Sequence, residues 1–284
     1  MAEKMTVLKG QLTILADNIV LGKNDSLGEH GFACYVETDR GNFLFDTGKG
    51  KTILHNAAVF KKDLAALSGI LISHGHLDHT GGLPEVLRFH DRIDVLGHPD
   101  IFVDRFKEEK NGNKNFMGTP FKRGYLEKCG ARFLFNDTWE EVEKGLYLTG
   151  EVPRETDFEF ADMDDRFAVR DGRVVPEIIL DDQSLIIRTS KGLLILLGCA
   201  HAGIINIIHH AIKMTGVEDI VAVIGGTHLG FSEEIQLEKT IQALRSFRIG
   251  SLIPSHCTGI PVLTRLAAEF EHFQFSFVGK SFEF

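Results

Sequence analysis

The chain has 284 residues, 43% of them hydrophobic and 25% charged, which is an ordinary globular composition with enough length for one large domain or two small ones. Its formal charge of −9 argues against nonspecific binding of duplex nucleic acid, which needs clustered Lys and Arg. No apolar run approaches the ~20 residues of a membrane span, and residues 1–6 lack a basic region followed by an apolar one, so a cytoplasmic protein is expected.

In chain order, Gln11 to Leu15 and His30 to Thr38 read as strands, joined by a Gly-, Asn- and Asp-containing loop in a hairpin-type opening. The segment from Asn42 is another apolar strand, ending in Asp46-Thr47-Gly48. That triplet also occurs in aspartic proteases, but the chain holds no second copy to share a proton with it. Lys51 to Leu67 has helical apolar spacing. Ile70 to Ile72 form a short buried strand that stops at His74.

Beyond that strand, His74, His76, Asp78 and His79 fall within six residues. Gly75 lets the backbone approach closely, and an extended chain turns His74 and His76 the same way, so the two can grip one cation. A turn next would aim Asp78 and His79 at a second position beside it. Imidazole and carboxylate donors suit zinc first, with iron or manganese as alternatives. Cys34, Cys129, Cys199 and Cys257 show no close pairing pattern, so no disulfide framework is expected.

Leu83 to Phe89 fits a short helix with Pro84 in its first turn, and Asp94 to Gly97 a strand. This alternation predicts an α/β layer structure with its ligands in strand-end loops. Two surface insertions interrupt it, near 100–130 and 150–182. Between Arg105 and Lys128 the first carries seven basic residues (Arg105, Lys107, Lys110, Lys114, Lys122, Arg123, Lys128) against three acidic ones. It is either a rim that attracts an anionic substrate or an ordinary solvated loop. The second, Glu151 to Asp182, has eleven acidic residues against Arg154, Arg166, Arg170 and Arg173. Between the insertions, Ala131 to Phe135 and Gly145 to Thr149 read as strands.

Ser184 to Leu197 is a hairpin of two apolar strands that delivers Cys199 and His201 just before a helix beginning near Gly203. A helix N-terminus favours neutral imidazole, the metal-binding form. His209 and His210 lie within that helix and read as structural. Asp219 to Ile224 is a buried strand opening into Gly225-Gly226-Thr227-His228. Ser232 or Glu233 to Phe247 is an amphipathic helix with Ile235, Leu237, Ile241, Leu244 and Phe247 inside. Ser251 to Pro254 is a strand ending at His256, Pro261 to Phe270 a helix, and Phe273 to Phe284 a strand with Phe273, Phe275 and Phe277 facing the core. Histidines thus recur at four strand ends, which in an α/β sheet converge on one crevice.

The run His74-Gly75-His76-Leu77-Asp78-His79 resembles the H-x-H-x-D-H signature of the metallo-β-lactamase superfamily. The resemblance implies a single four-layer αββα domain spanning 1–284, whose halves, about 1–150 and 183–284, meet at the metal site. It also implies one ion held by His74, His76 and His201, another by Asp78, His79 and His256, and an orienting role for Asp46. Members usually bridge the two ions with an aspartate; here Gly198-Cys199 stands at that place, leaving Cys199 or water alone as the bridge. Asp78 could double as proton acceptor, and His228 could contact substrate or donate a proton.

The chain is most similar to a subfamily carrying Gly-Cys-x-His, Gly-Gly-x-His-Leu and Pro-x-His-Cys-Thr-Gly, here at 198–201, 225–229 and 254–259. Its members include metal-dependent hydrolases and dihydropterin ribofuranosyl-aminobenzene phosphate synthase-like proteins. The resemblance implies a dinuclear hydrolase that turns a metal-activated hydroxide on a small-molecule phosphoester, lactone or thioester. A synthase acting on a phosphoribosyl and aminobenzoate substrate and a non-enzymatic metal-binding or redox module are the alternatives. Penicillin hydrolysis is not expected without a secretion signal.

Overall fold

The computed structural model describes residues 6–22, 24–109, 111–159 and 165–284. Lys110 of the basic segment, Asp162 and Asp164 of the acidic one, and residues 1–5 of the N-terminal reading lie outside them.

Apolar runs become strands and amphipathic runs become helices in the following order: β1 (Gly10–Ala16), β2 (Ala33–Thr38), β3 (Gly41–Phe45), α1 (Ile53–Val59), β4 (Leu67–Leu71), α2 (Leu77–Thr80), α3 (Leu83–Leu87), β5 (Ile93–Gly97), β6 (Asp104–Glu108), β7 (Lys114–Phe116), α4 (Arg123–Lys128), β8 (Ala131–Phe135), β9 (Glu140–Glu143) and β10 (Leu146–Leu148). The second half continues with β11 (Arg166–Arg170), β12 (Arg173–Pro176), β13 (Leu185–Thr189), β14 (Gly192–Leu197), α5 (Ile204–Thr215), β15 (Asp219–Gly226), α6 (Glu234–Leu244), β16 (Arg248–Ile249), β17 (Leu252–Ser255), α7 (Ile260–Glu269) and β18 (Ser281–Glu283).

One sheet runs β18-β1-β2-β3-β4-β5-β8, and a second runs β16-β15-β14-β13-β10-β9 with β17 also on β15. Between them lies one core, in which Leu12, Ile14, Val36, Phe45 and Leu71 meet Leu148, Leu185, Ile187, Leu196 and Ile224. Ile53, Leu83, Val86 and Leu126 pack the helices α1, α3 and α4 onto the outer face of the first sheet. Ile204, Ile208, Leu237, Ile241 and Leu266 do the same for α5, α6 and α7 on the second. Apolar surface leaves water at each of three interfaces, and the result is the αββα sandwich. The sheets trade their ends: β9 and β10 join the second sheet, and the C-terminal β18 returns to the first.

The strand directions place the site. β3, β4 and β5 are mutually parallel, as are β14, β15 and β17, so the loops after them leave from the same edges of their sheets. Asp46 follows β3, His74 to His79 follow β4, Cys199 and His201 follow β14, His228 follows β15 and His256 follows β17.

Four sequence expectations need correction. The helix expected over 51–67 closes at Val59, because Lys61 takes a left-handed φ of 56° and Asp63 then starts a separate 3-10 turn by accepting from the Ala65 N–H. Ile235 is exposed on α6. The 273–284 segment forms a strand only at 281–283; Ser276 and Val278 are its buried residues, while Phe275 is half exposed. The insertions are not plain loops: β6 and β7 from the first pair with β11 and β12 from the second in a small sheet ordered β12-β11-β6-β7.

Candidate metal centre

After β4 the chain bends at Ser73 and Gly75 and reaches His76, which caps the start of α2, and that single turn carries Asp78 and His79. The rings of His74 and His76 stand edge to face with centroids 4.5 Å apart, and His74 Nε2 faces His76 Nδ1 at 2.9 Å. The close approach expected at Gly75 is real, but what approaches is the Ile101 carbonyl: a Cβ at Gly75 would lie 2.3 Å from that oxygen.

His201 completes the first triad. Its ring centroid is 4.9 Å from that of His74 and 5.1 Å from that of His76, and all three residues are buried. Burial holds all three imidazoles well below their ordinary pKa, so they are neutral. Both ring nitrogens of His201 are buried with no hydrogen-bond partner among the described residues. Orphaned nitrogens in an apolar setting are costly, and a cation shared with His74 and His76 removes that cost. Their donor atoms lie within 4.8 Å of one another, so the residues fit a metal ion.

The Asp46 carboxylate, fully buried, organises the second group. It accepts from the Ser73 N–H and Ser73 Oγ, both at 2.7 Å, and from His79 Nδ1 at 2.6 Å. Ser73 Oγ in turn accepts from His74 Nδ1 at 2.9 Å. Both imidazoles therefore carry their proton on Nδ1 and leave Nε2 for a cation. Burial opposes the charged form of His79, but the Asp46 carboxylate outweighs it and pushes this group up to about 9, so in the metal-free chain Nε2 is protonated too and a cation bound there displaces that proton. A Cβ at Gly198 would lie 2.2 Å from Ser73 Oγ, so only glycine lets β14 come this close.

Cys199 sits where the two groups join. Its Sγ is 3.2 Å from His79 Nε2; it forms one ligand-competent triad with His74 and His79 and another with His256 and Cys257. Asp78 Oδ2 lies 3.3 Å from His256 Nε2 and 3.1 Å from His30 Nε2. Burial works against the Asp78 carboxylate, yet these two imidazoles hold it well below the usual carboxylate range. Asn18 Oδ1 accepts from His256 Nδ1 at 2.9 Å, while its amide nitrogen is 3.3 Å from His30 Nδ1. Of the second predicted group, Asp78 and His256 meet with His30 at the exposed mouth, whereas His79 groups with His74 and Cys199, its ring centroid 5.1 Å from that of His256. The His228 ring centroid is 4.2 Å from that of His201; burial, then Arg166, lowers this imidazole to about 3, so it is neutral. Asp46, Ala200, His228 and His256 all take φ between 49° and 59°, a concentration of left-handed non-glycine residues at one spot.

The insertions turn out to hold the site. Arg105 is not a rim cation but 1% exposed: its Nε donates to Glu177 at 2.9 Å and a terminal nitrogen to Asp181 at 2.6 Å, while Asp181 also accepts from the Gly75 N–H at 2.7 Å. Arg154 donates to the His201 carbonyl at 2.7 Å, Asp182 accepts from the Ala202 N–H at 2.9 Å, and Glu159 accepts from the first-turn amides of Ile205 and Asn206. Arg166, buried on β11, lowers the charge affinity of His76, His201 and His228, and its cross-strand partner Lys107 does so for His228. The remaining cations of the first insertion are partly neutralised, as in the Lys107–Asp165 and Arg123–Glu127 pairs.

The profile of the metallo-beta-lactamase superfamily matches residues 28–191. The chain belongs to the metallo-beta-lactamase superfamily. It is 31% identical over 269 residues to the 7,8-dihydropterin-6-methyl-4-(beta-D-ribofuranosyl)-aminobenzene-5'-phosphate synthase of Methanocaldococcus jannaschii, covering 90% of each chain. An uncharacterised protein of the same archaeon is 31% identical over 271 residues, covering 95% of this chain and 98% of its own. The crystal structure of Tm1679, a metal-dependent hydrolase of the beta-lactamase superfamily, superposes with a TM-score of 0.82 at 27% identity, covering 97% of this chain and 99% of that one. Against the superfamily pattern, sequence reasoning missed Asn18, His30, Ser73 and Arg166. Only Ser73, inside the signature loop, offered a signal; the others are single polar residues with no motif around them. Among the described residues no helix is long and apolar enough to cross a membrane.

Proposed function

We propose that the chain is a dinuclear metal-dependent hydrolase of small anionic esters, with phosphoesters, lactones and thioesters as the substrate classes. The observation that carries this reading is the His74, His76 and His201 triad, whose His201 nitrogens have no other partner among the described residues, joined through His74 to His79 and Cys199 and through Cys199 to His256 and Cys257. Divalent ions held there, zinc first and iron or manganese as alternatives, supply Lewis acidity and activate water at neutral pH. His74, His76 and His201 would hold one, and Asp78, His79 and His256 the other, with Cys199 between. A carboxylate with so low a pKa suits Asp78 better as a ligand than as a proton acceptor. His228, neutral and beside His201, is placed to contact substrate. Arg166 and Lys107 give that side a positive field suited to a phosphate or carboxylate group. All four cysteines are free, in keeping with a reducing, cytoplasmic setting.

A second reading, a synthase acting on a phosphoribosyl and aminobenzoate substrate, is favoured by 31% identity across 90% of the M. jannaschii synthase. One experiment separates them: metal analysis of the purified chain, then a chelator-sensitive screen of phosphodiesters, lactones and thioesters beside a binding assay for aminobenzoate and a phosphoribosyl donor. Two ions per chain and chelator-sensitive ester turnover are expected. Binding of the aminobenzoate pair with no ester turnover would favour the synthase, and less than one ion per chain would end the dinuclear reading.

A further inference from the structure

The residue after His256 is Cys257, which the superfamily signature gives no part in holding metal. Its Sγ, that of Cys199 and a ring nitrogen of His256 lie within 4.8 Å of one another, and all three residues are buried. The sulfur is aimed: the His228 N–H donates to it at 3.2 Å, and it reaches the Cys199 carbonyl at 3.7 Å. Gly226 keeps that space open, since a Cβ there would fall 2.6 Å from the same sulfur. His79 Nε2 lies 3.2 Å from the Cys199 sulfur, its ring held by Asp46. Asp78, the carboxylate expected here, has one oxygen between His30 and His256.

We propose that the second cation position is a thiolate site, in which Cys199 and Cys257 join His256 in place of Asp78, with His79 beyond Cys199 as the next imidazole, in a sulfur-rich donor set that favours a thiophilic ion. Two buried thiols could otherwise be plain small packing residues, but two sulfurs converging with an imidazole match the spacing and chemistry of tetrahedral zinc sites. Each thiol that coordinates gives its proton to solvent, so loading at this position releases protons and tightens as pH rises. The proposal rests on the dinuclear reading above.

The test uses the full chain, stripped with a chelator and titrated with Co²⁺, because sulfur-to-cobalt charge transfer in the near ultraviolet reports thiolate ligation without any turnover assay. The second equivalent should bring that band. Cys257→Ser should cut it by roughly half and weaken the second equivalent at least about tenfold while sparing the first. Cys257→Asp should retain the second equivalent with a reduced band, which separates loss of a ligand from loss of fold. Cys199→Ser combined with Cys257→Ser should abolish the band. A second equivalent bound without it, or a Cys257→Ser band at full strength, overturns the thiolate site and leaves the dinuclear reading standing. Absence of a second equivalent overturns both.

Discussion

The sharpest perturbation of this centre is Asp46→Asn, because at constant volume it removes one buried charge and turns one acceptor oxygen into a donor. Asn tolerates the left-handed φ of 59° at this position and keeps the volume of Asp46. The oxygen that accepts from the Ser73 N–H survives. The other side becomes an amide NH2, which faces His79 Nδ1 across 2.6 Å and Ser73 Oγ across 2.7 Å and donates where a carboxylate oxygen accepted from both. His79 must then carry its proton on Nε2, the nitrogen 3.2 Å from Cys199 Sγ, so the lone pair meant for a cation is gone. Loss of an orienting partner of a metal-bound histidine typically costs ten- to a hundredfold in affinity, or about 1.4 to 2.7 kcal/mol. The expected outcome is a second zinc equivalent weakened by that factor in competition with a chromophoric chelator, with the first equivalent, on His74, His76 and His201, much less affected. Wild-type affinity for both equivalents would refute the argument that Asp46 sets the tautomer; loss of both together would show that it acts by shaping the whole loop.

Two further outcomes follow from the insertions. Arg105→Met strips Asp181 of its cation and leaves buried Glu177 only Arg170 at 3.7 Å, a loss of about 3 to 5 kcal/mol that should lower the melting temperature by on the order of 10 °C. Adding Glu177→Gln and Asp181→Asn should recover most of it, and an unchanged melt of the single variant would contradict the buried-pair argument. Burial raises the Asp182 carboxyl from its ordinary 3.8 to about 6. Its folded value lies above its unfolded one, so its contribution is intact below about pH 4 and is lost as pH rises through 6, a cost of roughly 3 kcal/mol at pH 8. In chelator-treated protein Asp182→Asn should therefore be more stable than wild type to urea at pH 8, with the advantage shrinking towards pH 4. A less stable variant at pH 8 would refute this.

The strands that build the sandwich were legible because they are continuous apolar runs, such as Leu193 to Leu197, that have no other way to leave water. The signature cluster was legible because four ligand-type residues in six positions have no packing explanation. The insertion sheet was not. β6 reads Asp-Arg-Phe-Lys-Glu and β7 Lys-Asn-Phe, without the alternation or the β-branched content of a strand, and each becomes one only by pairing with a distant partner or its own hairpin. Both readings of the basic segment, an attracting rim or a solvated loop, leave Arg105 exposed for the same reason: the two carboxylates that let it be buried come from residues 177 and 181. Its burial is a property of the pairing, not of the local sequence.

The same small sheet does two jobs for the centre. Through Arg105 and Asp181 it grips the Gly75 amide and so fixes the spacing between His74 and His76. Through Arg166 and Lys107 it sets the field on the His228 side, where a substrate would enter. The two residues of that pair differ in burial. Arg166 is buried, whereas Lys107 is partly exposed and shares its charge with Asp165. An exposed, shared charge is screened by salt and water and a buried one much less, so within this pair Arg166 carries most of the field at the site. The insertion, absent from the ligand pattern that defines the superfamily, is then the part of the chain that both holds the ligand loop and places buried positive charge beside it.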